Sequence, residues 1–290
     1  MMVMALTDAP RGLSASLMTY AGVAVFALAY AWRLSTGNTE VVQSSDPGAA
    51  SSSLWAAALP PLTAIVLARL VSPVRKVPMP LADLPGPRLR REAWMLVTVA
   101  ILQSLVTPLA QGGLYPLVKV LVLLVIPLVA LRVIRRDGPK ARAIPAPVTW
   151  LAPLPAVLAW FLLAHVGPLA VPLTQDLPDP VTLVVGSLIT VLTASVLGEV
   201  FYRGWLQTRL EALYGRWPAI MTSSVLFALM HSSRIEDDAP LLGLTSIVAV
   251  QGMFGLMQGY LWARYRSFWV IVFIHVVTNL VFVPLLIERL

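Results

Sequence analysis

The chain has 290 residues, of which 58% are hydrophobic and 12% charged, with a net charge of +7 and no cysteine. Soluble domains have about twice that charged fraction, so the composition excludes an ordinary soluble protein and indicates an all-α, polytopic membrane bundle. The lack of cysteine in the sequence excludes disulfides and thiolate metal ligands. Because the basic residues fall mostly at the ends of apolar segments, where they set membrane topology, the positive charge does not indicate a nucleic-acid partner.

Nine apolar segments follow one another along the chain, and several approach the roughly 20 residues that are needed to cross a bilayer. The first is longer than the apolar core of a signal peptide and is predicted to be a retained anchor. The stretch between the first and second segments is predicted to be a polar loop. The segments cover residues 13–32, 54–71, 94–110, 115–133, 148–166, 181–202, 217–231, 241–262 and 268–287.

The charges of the loops predict the orientation in the membrane. Loops that carry Arg or Lys alternate with loops that carry none or are mostly acidic. The positive-inside rule then predicts an integral protein of the cytoplasmic (inner) membrane, with its N-terminus in the cytoplasm and its C-terminus outside. We divide the chain into residues 1–145, with four spans of unassigned role, and residues 146–290, which contain the polar residues of interest.

The last four predicted spans carry ionisable and amide side chains, which cost several kcal/mol in a membrane unless they are paired. Glu199 is interpreted as the only acidic residue in or against an apolar segment, and Arg203 follows it by one helical turn, on the same face. His275 and Asn279 share a face of the last span, and His231 ends the seventh. Three polar positions on three apolar helices predict one buried site.

Each of these residues also has a structural explanation. Glu199 and Arg203 could form an ion pair that closes a helix end, and His231 could lie at the membrane interface. His275 and Asn279 could join two helices by hydrogen bonds.

Together, the same side chains suit hydrolysis, because a carboxylate and an imidazole can polarise a water and a His/Asn pair can stabilise an oxyanion. Arg203 would keep Glu199 ionised. An alternative is a zinc site with Glu199, His231 and His275 as its ligands, although the sequence has no HExxH motif. A proton relay in a small-solute transporter is the third possibility, and the lack of an internal repeat argues against an inverted-repeat transporter.

The order of the motifs resembles the CAAX protease and bacteriocin-processing family (CPBP, or Abi) of glutamate-type intramembrane endopeptidases. The resemblance rests on Glu199-x-x-x-Arg203, Phe227-x-x-x-His231, a glycine-rich segment at 254–260 and His275-x-x-x-Asn279, and it covers about residues 181–282. It implies that His231 helps to activate water, that His275 and Asn279 form the oxyanion site, and that Glu199, Arg203 and Phe227 support them. No cofactor is implied, and the substrate would be a membrane protein or a lipid-anchored, membrane-proximal peptide.

The sequence departs from the family pattern at one position. The family motif is Glu-Glu-x-x-x-Arg, and Gly198 stands where its first, water-activating Glu would be. Either Glu199 serves instead, re-aimed by a π-bulge that Gly198 permits, or the protein is a catalytically silent relative that binds a membrane partner or peptide. For Glu199 to reach His231, the sixth helix must continue past Tyr202 towards Tyr214.

Overall fold

The computed structural model describes residues 12–44, 48–73, 81, 84, 86–110, 112–135, 144, 149, 151–172, 174 and 178–280. These ranges contain nine continuous helices, a separate 3-10 turn at Ser232–Arg234 and one antiparallel hairpin of β1 (Glu40–Val42) and β2 (Ser51–Ser53). The helices are α1 (Leu13–Ser35), α2 (Leu54–Leu70), α3 (Gly86–Leu109), α4 (Leu114–Ile134), α5 (Leu154–Val166), α6 (Pro180–Tyr214), α7 (Arg216–Leu229), α8 (Pro240–Tyr265) and α9 (Phe268–Asn279).

The helical membrane bundle is confirmed, but the predicted number of nine spans is not. Of the helices that the structure describes, five are long and apolar enough to cross a membrane: α1, α3, α4, α6 and α8. The others are shorter, since a helix rises 1.5 Å per residue and the 14 residues of α7 reach only about 21 Å, while α9 is described only to Asn279. The predicted ninth span continues to residue 287, and residues 281–287 lie outside the described part of the chain.

The segment after α1 is not the loop that its polar composition predicts. β1 and β2 pair there, and the side chain of Val41 turns inward against Leu54 and Ala249. The buried guanidinium of Arg33, at the end of α1, donates to the carbonyl of Glu40 at 2.6 Å and to that of Leu242 in α8 at 3.2 Å. One inward valine and one arginine therefore fix a hairpin that is otherwise polar.

The sixth helix continues past Tyr202, as predicted. α6 is 35 residues long and ends at Gly215, whose φ of 92° requires a residue without a Cβ. Leu206 and Leu210 are fully buried, so the second half of α6 contributes to the core rather than to a surface loop. Glu199 consequently lies near the middle of a helix about 50 Å long.

Two hydrophobic clusters meet along α6 to α8. One joins α3, α4, α6 and α7, and includes Phe201, Tyr202 and Phe227. The other joins α2, α5, α8 and α9, and includes Trp160 and Trp262. The N-terminal helices thus pack against the C-terminal ones, while the division of the chain at residue 145 stays a prediction.

A second buried carboxylate ties α3, α4 and α6 together. Glu92 of α3 is fully buried, and its Oε2 accepts a hydrogen bond of 2.7 Å from Arg209 Nε of α6. Its Oε1 accepts from Arg135 Nε at 3.0 Å and from Arg88 Nε at 3.1 Å. Because Glu92 lies in the first turns of α3, where the sequence places it at the edge of an apolar segment, its burial was not predicted.

We expect Glu92→Gln to destabilise the protein by about 3 kcal/mol or more, because it leaves the buried guanidinium of Arg209 without a charged partner. Thermal unfolding of the purified protein in detergent measures this. The exposed Glu236 supplies the control, since Glu236→Gln removes the same charge without affecting a buried cation. Equal unfolding temperatures for the two variants would contradict the structural role of Glu92.

Candidate active site

Two polar side-chain contacts join α6 to α9. Glu199 Oε1 lies 2.6 Å from His275 Nδ1, and the Asn279 side chain donates to Ser195 Oγ at 3.0 Å. The two residues on each helix are four apart, so they share one face. The two contacts pair them in opposite chain order, as in two antiparallel helices. The sequence predicted the shared face of His275 and Asn279, but not their two partners.

The carboxylate of Glu199 is held on both sides. Arg203 Nε lies 3.4 Å from Oε2, and neither side chain has any exposed surface. The guanidinium also donates to the carbonyl of Gly255 at 3.0 Å and lies 4.4 Å from the centroid of the Phe227 ring. With its two oxygens facing an arginine and an imidazole, Glu199 is placed to orient His275 rather than to meet a water itself.

The partner of His275 decides which ring nitrogen carries its proton. An ionised carboxylate accepts hydrogen bonds only, so Nδ1 of His275 must be the donor to Glu199. In a neutral imidazole, Nε2 then has a free lone pair. The same arrangement orients the histidine of a hydrolytic Ser-His-Asp triad.

His231 lies against the same aromatic ring as His275. The ring centroid of Phe227 is 5.3 Å from that of His231 and 5.8 Å from that of His275. His231 Nδ1 is 3.1 Å from the carbonyl oxygen of Phe227, to which it can only donate, so its Nε2 also has a free lone pair. Both imidazoles therefore border one aromatic ring and do not lie at opposite faces of the bundle.

Gly198 lies next to His275. A Cβ added at Gly198 would meet one side-chain atom of the described residues, His275 Cε1, at an ordinary contact distance of 3.6 Å. Glu199 binds the adjacent ring atom, Nδ1, so it does not occupy the position that a side chain at 198 would take. π-helical turns at Val191–Val196 and Val200–Gln207 flank Leu197–Glu199, which is itself α-helical.

The glycine-rich part of α8 lets polar side chains of α6 reach its backbone. Gln207 donates to the carbonyl of Gly259 at 2.8 Å, one turn beyond the bond from Arg203 to Gly255. A Cβ at Gly259 would lie 2.8 Å from Gln207 Oε1, and one at Gly255 would lie 3.3 Å from Arg203 Nη2. The glycines are needed here for the close approach of two helices rather than for flexibility.

Several polar residues of this region were missed by the sequence analysis. Gln258 donates to the carbonyl of Ile271 at 2.7 Å and lies 3.5 Å from Glu199, and Lys119 is a buried cation within the apolar α4. Glu199 is not the only buried acid, since Glu92 and Glu211 are also buried, which corrects the interpretation of the sequence. In each case the available signal was a polar residue that interrupts an apolar segment.

The metal alternative receives no support from side-chain placement. In the described ranges, no three His, Asp or Glu side chains converge in a way that could hold a metal ion, and this includes Glu199, His231 and His275. The third histidine, His165, packs on Trp160 with a ring-centroid distance of 5.1 Å.

Comparison with known proteins identifies the C-terminal helices. The family model described as "Type II CAAX prenyl endopeptidase Rce1-like" matches residues 180–281, the range that contains α6 to α9. No curated protein and no solved structure matches the chain. The matched range includes every site residue that the sequence predicted, and the resemblance to the CAAX protease family is confirmed over these residues.

We expect Gly259→Ala to destabilise the protein, because its methyl group would displace the Gln207 side chain from the α8 backbone. Gly186, on the exposed side of α6, has no heavy atom within 4 Å of an added Cβ. Gly186→Ala should therefore be neutral or stabilise by up to about 1 kcal/mol through helix propensity. Unfolding temperatures in detergent compare the two, and a Gly259→Ala protein as stable as Gly186→Ala would refute the close-packing role.

Proposed function

We propose that the protein is an intramembrane CAAX-type endopeptidase in which His275, oriented by Glu199, activates the attacking water, and the match of residues 180–281 to the CAAX prenyl endopeptidase model supports this. The 2.6 Å contact between Glu199 and His275 is the observation that carries the proposal. The substrate is a membrane-proximal peptide bond of a lipid-anchored, prenylated peptide or of a membrane protein.

In the first step, Nε2 of His275 takes a proton from a water as the water oxygen attacks the peptide carbonyl. Glu199 stabilises the imidazolium that forms, and Arg203 keeps Glu199 ionised. His231 accepts a hydrogen bond from the same water through its own Nε2. His275 then passes its proton to the nitrogen of the leaving amine, which balances the hydrolysis.

The amide of Asn279 is the proposed donor to the oxyanion. Its Nδ2 carries two hydrogens, of which one is used by Ser195, so the second is left for the tetrahedral intermediate. A donor of this kind contributes about 10²- to 10³-fold to the rate when it is aimed at the developing negative charge. In this proposal His275 is the general base, whereas the family pattern makes it part of the oxyanion site. The change follows because Gly198 provides no carboxylate base.

Gly198 favours a second candidate function. Without a carboxylate at this position, the protein could be a silent relative that binds a peptide or a membrane partner and does not cleave it. Both functions place it in a membrane. From the loop charges we further propose the cytoplasmic membrane, with the N-terminus inside, and residues 146–290 as the functional core.

We expect His275→Ala to lower cleavage of a prenylated peptide by about 10²- to 10⁴-fold, because it removes the general base. Glu199→Gln should lower it by about 10- to 100-fold, because the histidine loses the partner that orients it. His165→Ala is the matched control, a histidine of another apolar helix that packs on Trp160, and it should retain activity. The proposed chemistry is wrong if His275→Ala cleaves as fast as His165→Ala.

The Gly198→Glu variant separates the two candidate functions. The 3.6 Å approach to His275 Cε1 leaves room for the first atom of the side chain, so we expect this variant to fold. If the wild type is an active peptidase, it cleaves the prenylated peptide before any substitution, and a chelator does not stop it. Cleavage by Gly198→Glu alone would instead identify the wild type as the silent relative.

A further inference from the structure

His231 lies outside the helix that precedes it. α7 ends at Leu229, and the backbone of His231 (φ −95°, ψ 25°) leads into the 3-10 turn Ser232–Arg234. Its ring nitrogen Nδ1 lies 3.1 Å from the carbonyl oxygen of Phe227, and its backbone N–H donates to the carbonyl of Ala228 at 2.9 Å. Since a 3-10 turn of three residues is a weak local element, the position of this imidazole depends on what holds the turn.

Three neighbours hold the turn. Ser232 Oγ donates to the carbonyl of Ser104 in α3 at 2.5 Å. A Cβ added at Gly243 of α8 would lie 2.7 Å from Ile235 Cα and 3.0 Å from the carbonyl oxygen of Arg234, so the first turns of α8 pack directly on this backbone. The third neighbour is the hairpin of β1 and β2, which the side chain of Arg234 reaches.

Arg234 joins the turn to the end of β1. Its Nη1 donates to the carbonyl of Val42 at 3.1 Å, and its Nη2 donates to that of Gln43 at 3.2 Å. A guanidinium is a planar and rigid fork, so two hydrogen bonds to successive carbonyls fix its orientation as well as its distance. The turn that begins at His231 is therefore fastened, three residues later, to a strand almost 200 residues away in the chain.

The hairpin is itself a fixed support. Arg33 of α1 donates to the carbonyl of Glu40 at 2.6 Å, and the backbone N–H of Leu54 donates to the carbonyl of Thr39 at 2.7 Å. Val41, between the ends of β1, is only 2% exposed. Because the strand is held on both sides of Val41, it can hold Arg234 in turn.

We propose that Arg234 is a positioning residue for His231. By fastening the 3-10 turn to the hairpin, it holds the imidazole against Phe227 with the lone pair of Nε2 free for the attacking water. This rests on the proposed function, in which His231 accepts a hydrogen bond from that water. The hairpin then supports the active site, although it belongs to the part of the chain to which the sequence assigned no role.

A double-mutant cycle on cleavage of a prenylated peptide tests the proposal. We expect Arg234→Met to lower kcat by about 10-fold and to change KM by less than about 2-fold, because a displaced imidazole affects the attacking water and not the binding of the peptide. In the His231→Ala protein, the same substitution should lower kcat by less than about 2-fold, because Arg234 then has no imidazole to position.

Arg264→Met is the matched control. Arg264 also donates to backbone carbonyls, from the end of α8 to Ala68 at 3.2 Å and to Arg69 at 3.4 Å. Its substitution should have the same effect on kcat with and without His231. The proposal is overturned if Arg234→Met leaves kcat unchanged, if it lowers kcat as much in the His231→Ala protein as in the wild type, or if Arg264→Met shows the same coupling.

The three histidines of the chain allow a measurement that needs no cleavage. In protein labelled with ¹⁵N at histidine, His231 should show one neutral tautomer with Nδ1 protonated, because that nitrogen donates to Phe227. Arg234→Met should replace these signals with the average of both tautomers and leave those of His165 and His275 unchanged. His231 signals that stay as in the wild type would refute the positioning role.

Arg234→Lys covers the case in which Arg234→Met does not fold. Lysine keeps the charge without the fork, so it should lower kcat in the wild type and, again, not in the His231→Ala protein. An additive cycle refutes the role of Arg234 and leaves the chemistry of His275 intact. If His275→Ala has no effect on cleavage, the proposed function fails, and the ¹⁵N signals of His231 still decide whether Arg234 positions it.

Discussion

The carboxylate of Glu199 is the constraint on which the C-terminal helices depend. It has no exposed surface, and burial of its charge is tolerable only because Arg203, His275 and Gln258 approach it from three helices. The same compensation recurs along α6, where Arg209 is paired with Glu92 of α3. The longest described helix, α6, therefore carries several buried charged side chains, and each must be paired by a neighbouring residue or helix.

Part of this arrangement was predictable, because it follows from spacing within a single helix. The four-residue interval of Glu199 and Arg203 and that of His275 and Asn279 each define one helical face, whatever the surroundings. The continuation of α6 to Tyr214 was also predictable, since leucines at helical spacing follow the motif and nothing before Gly215 breaks it. All of these predictions follow from the helical spacing of residues that are close together in the sequence.

The rest depends on contacts between distant parts of the chain. The sequence does not indicate that Ser195 would meet Asn279, because serine is common in apolar helices and its partner lies 84 residues away. The sequence around Glu92 was misleading, since a carboxylate at the edge of an apolar segment, with three arginines beside it, usually lies in water. The number of spans was overestimated because every apolar segment was counted as a span, although the helices that some of them form, such as α2 and α5, have 17 residues or fewer.

The uneven helix lengths have a consequence for the surrounding lipid. The short apolar helices α2 and α5 pack together in one hydrophobic cluster, which α8 and α9 complete. A bilayer adapts to a short hydrophobic flank by thinning, at a modest cost per ångström. We therefore expect head groups and their hydration water to lie deeper beside α2 and α5 than beside the long helix α6.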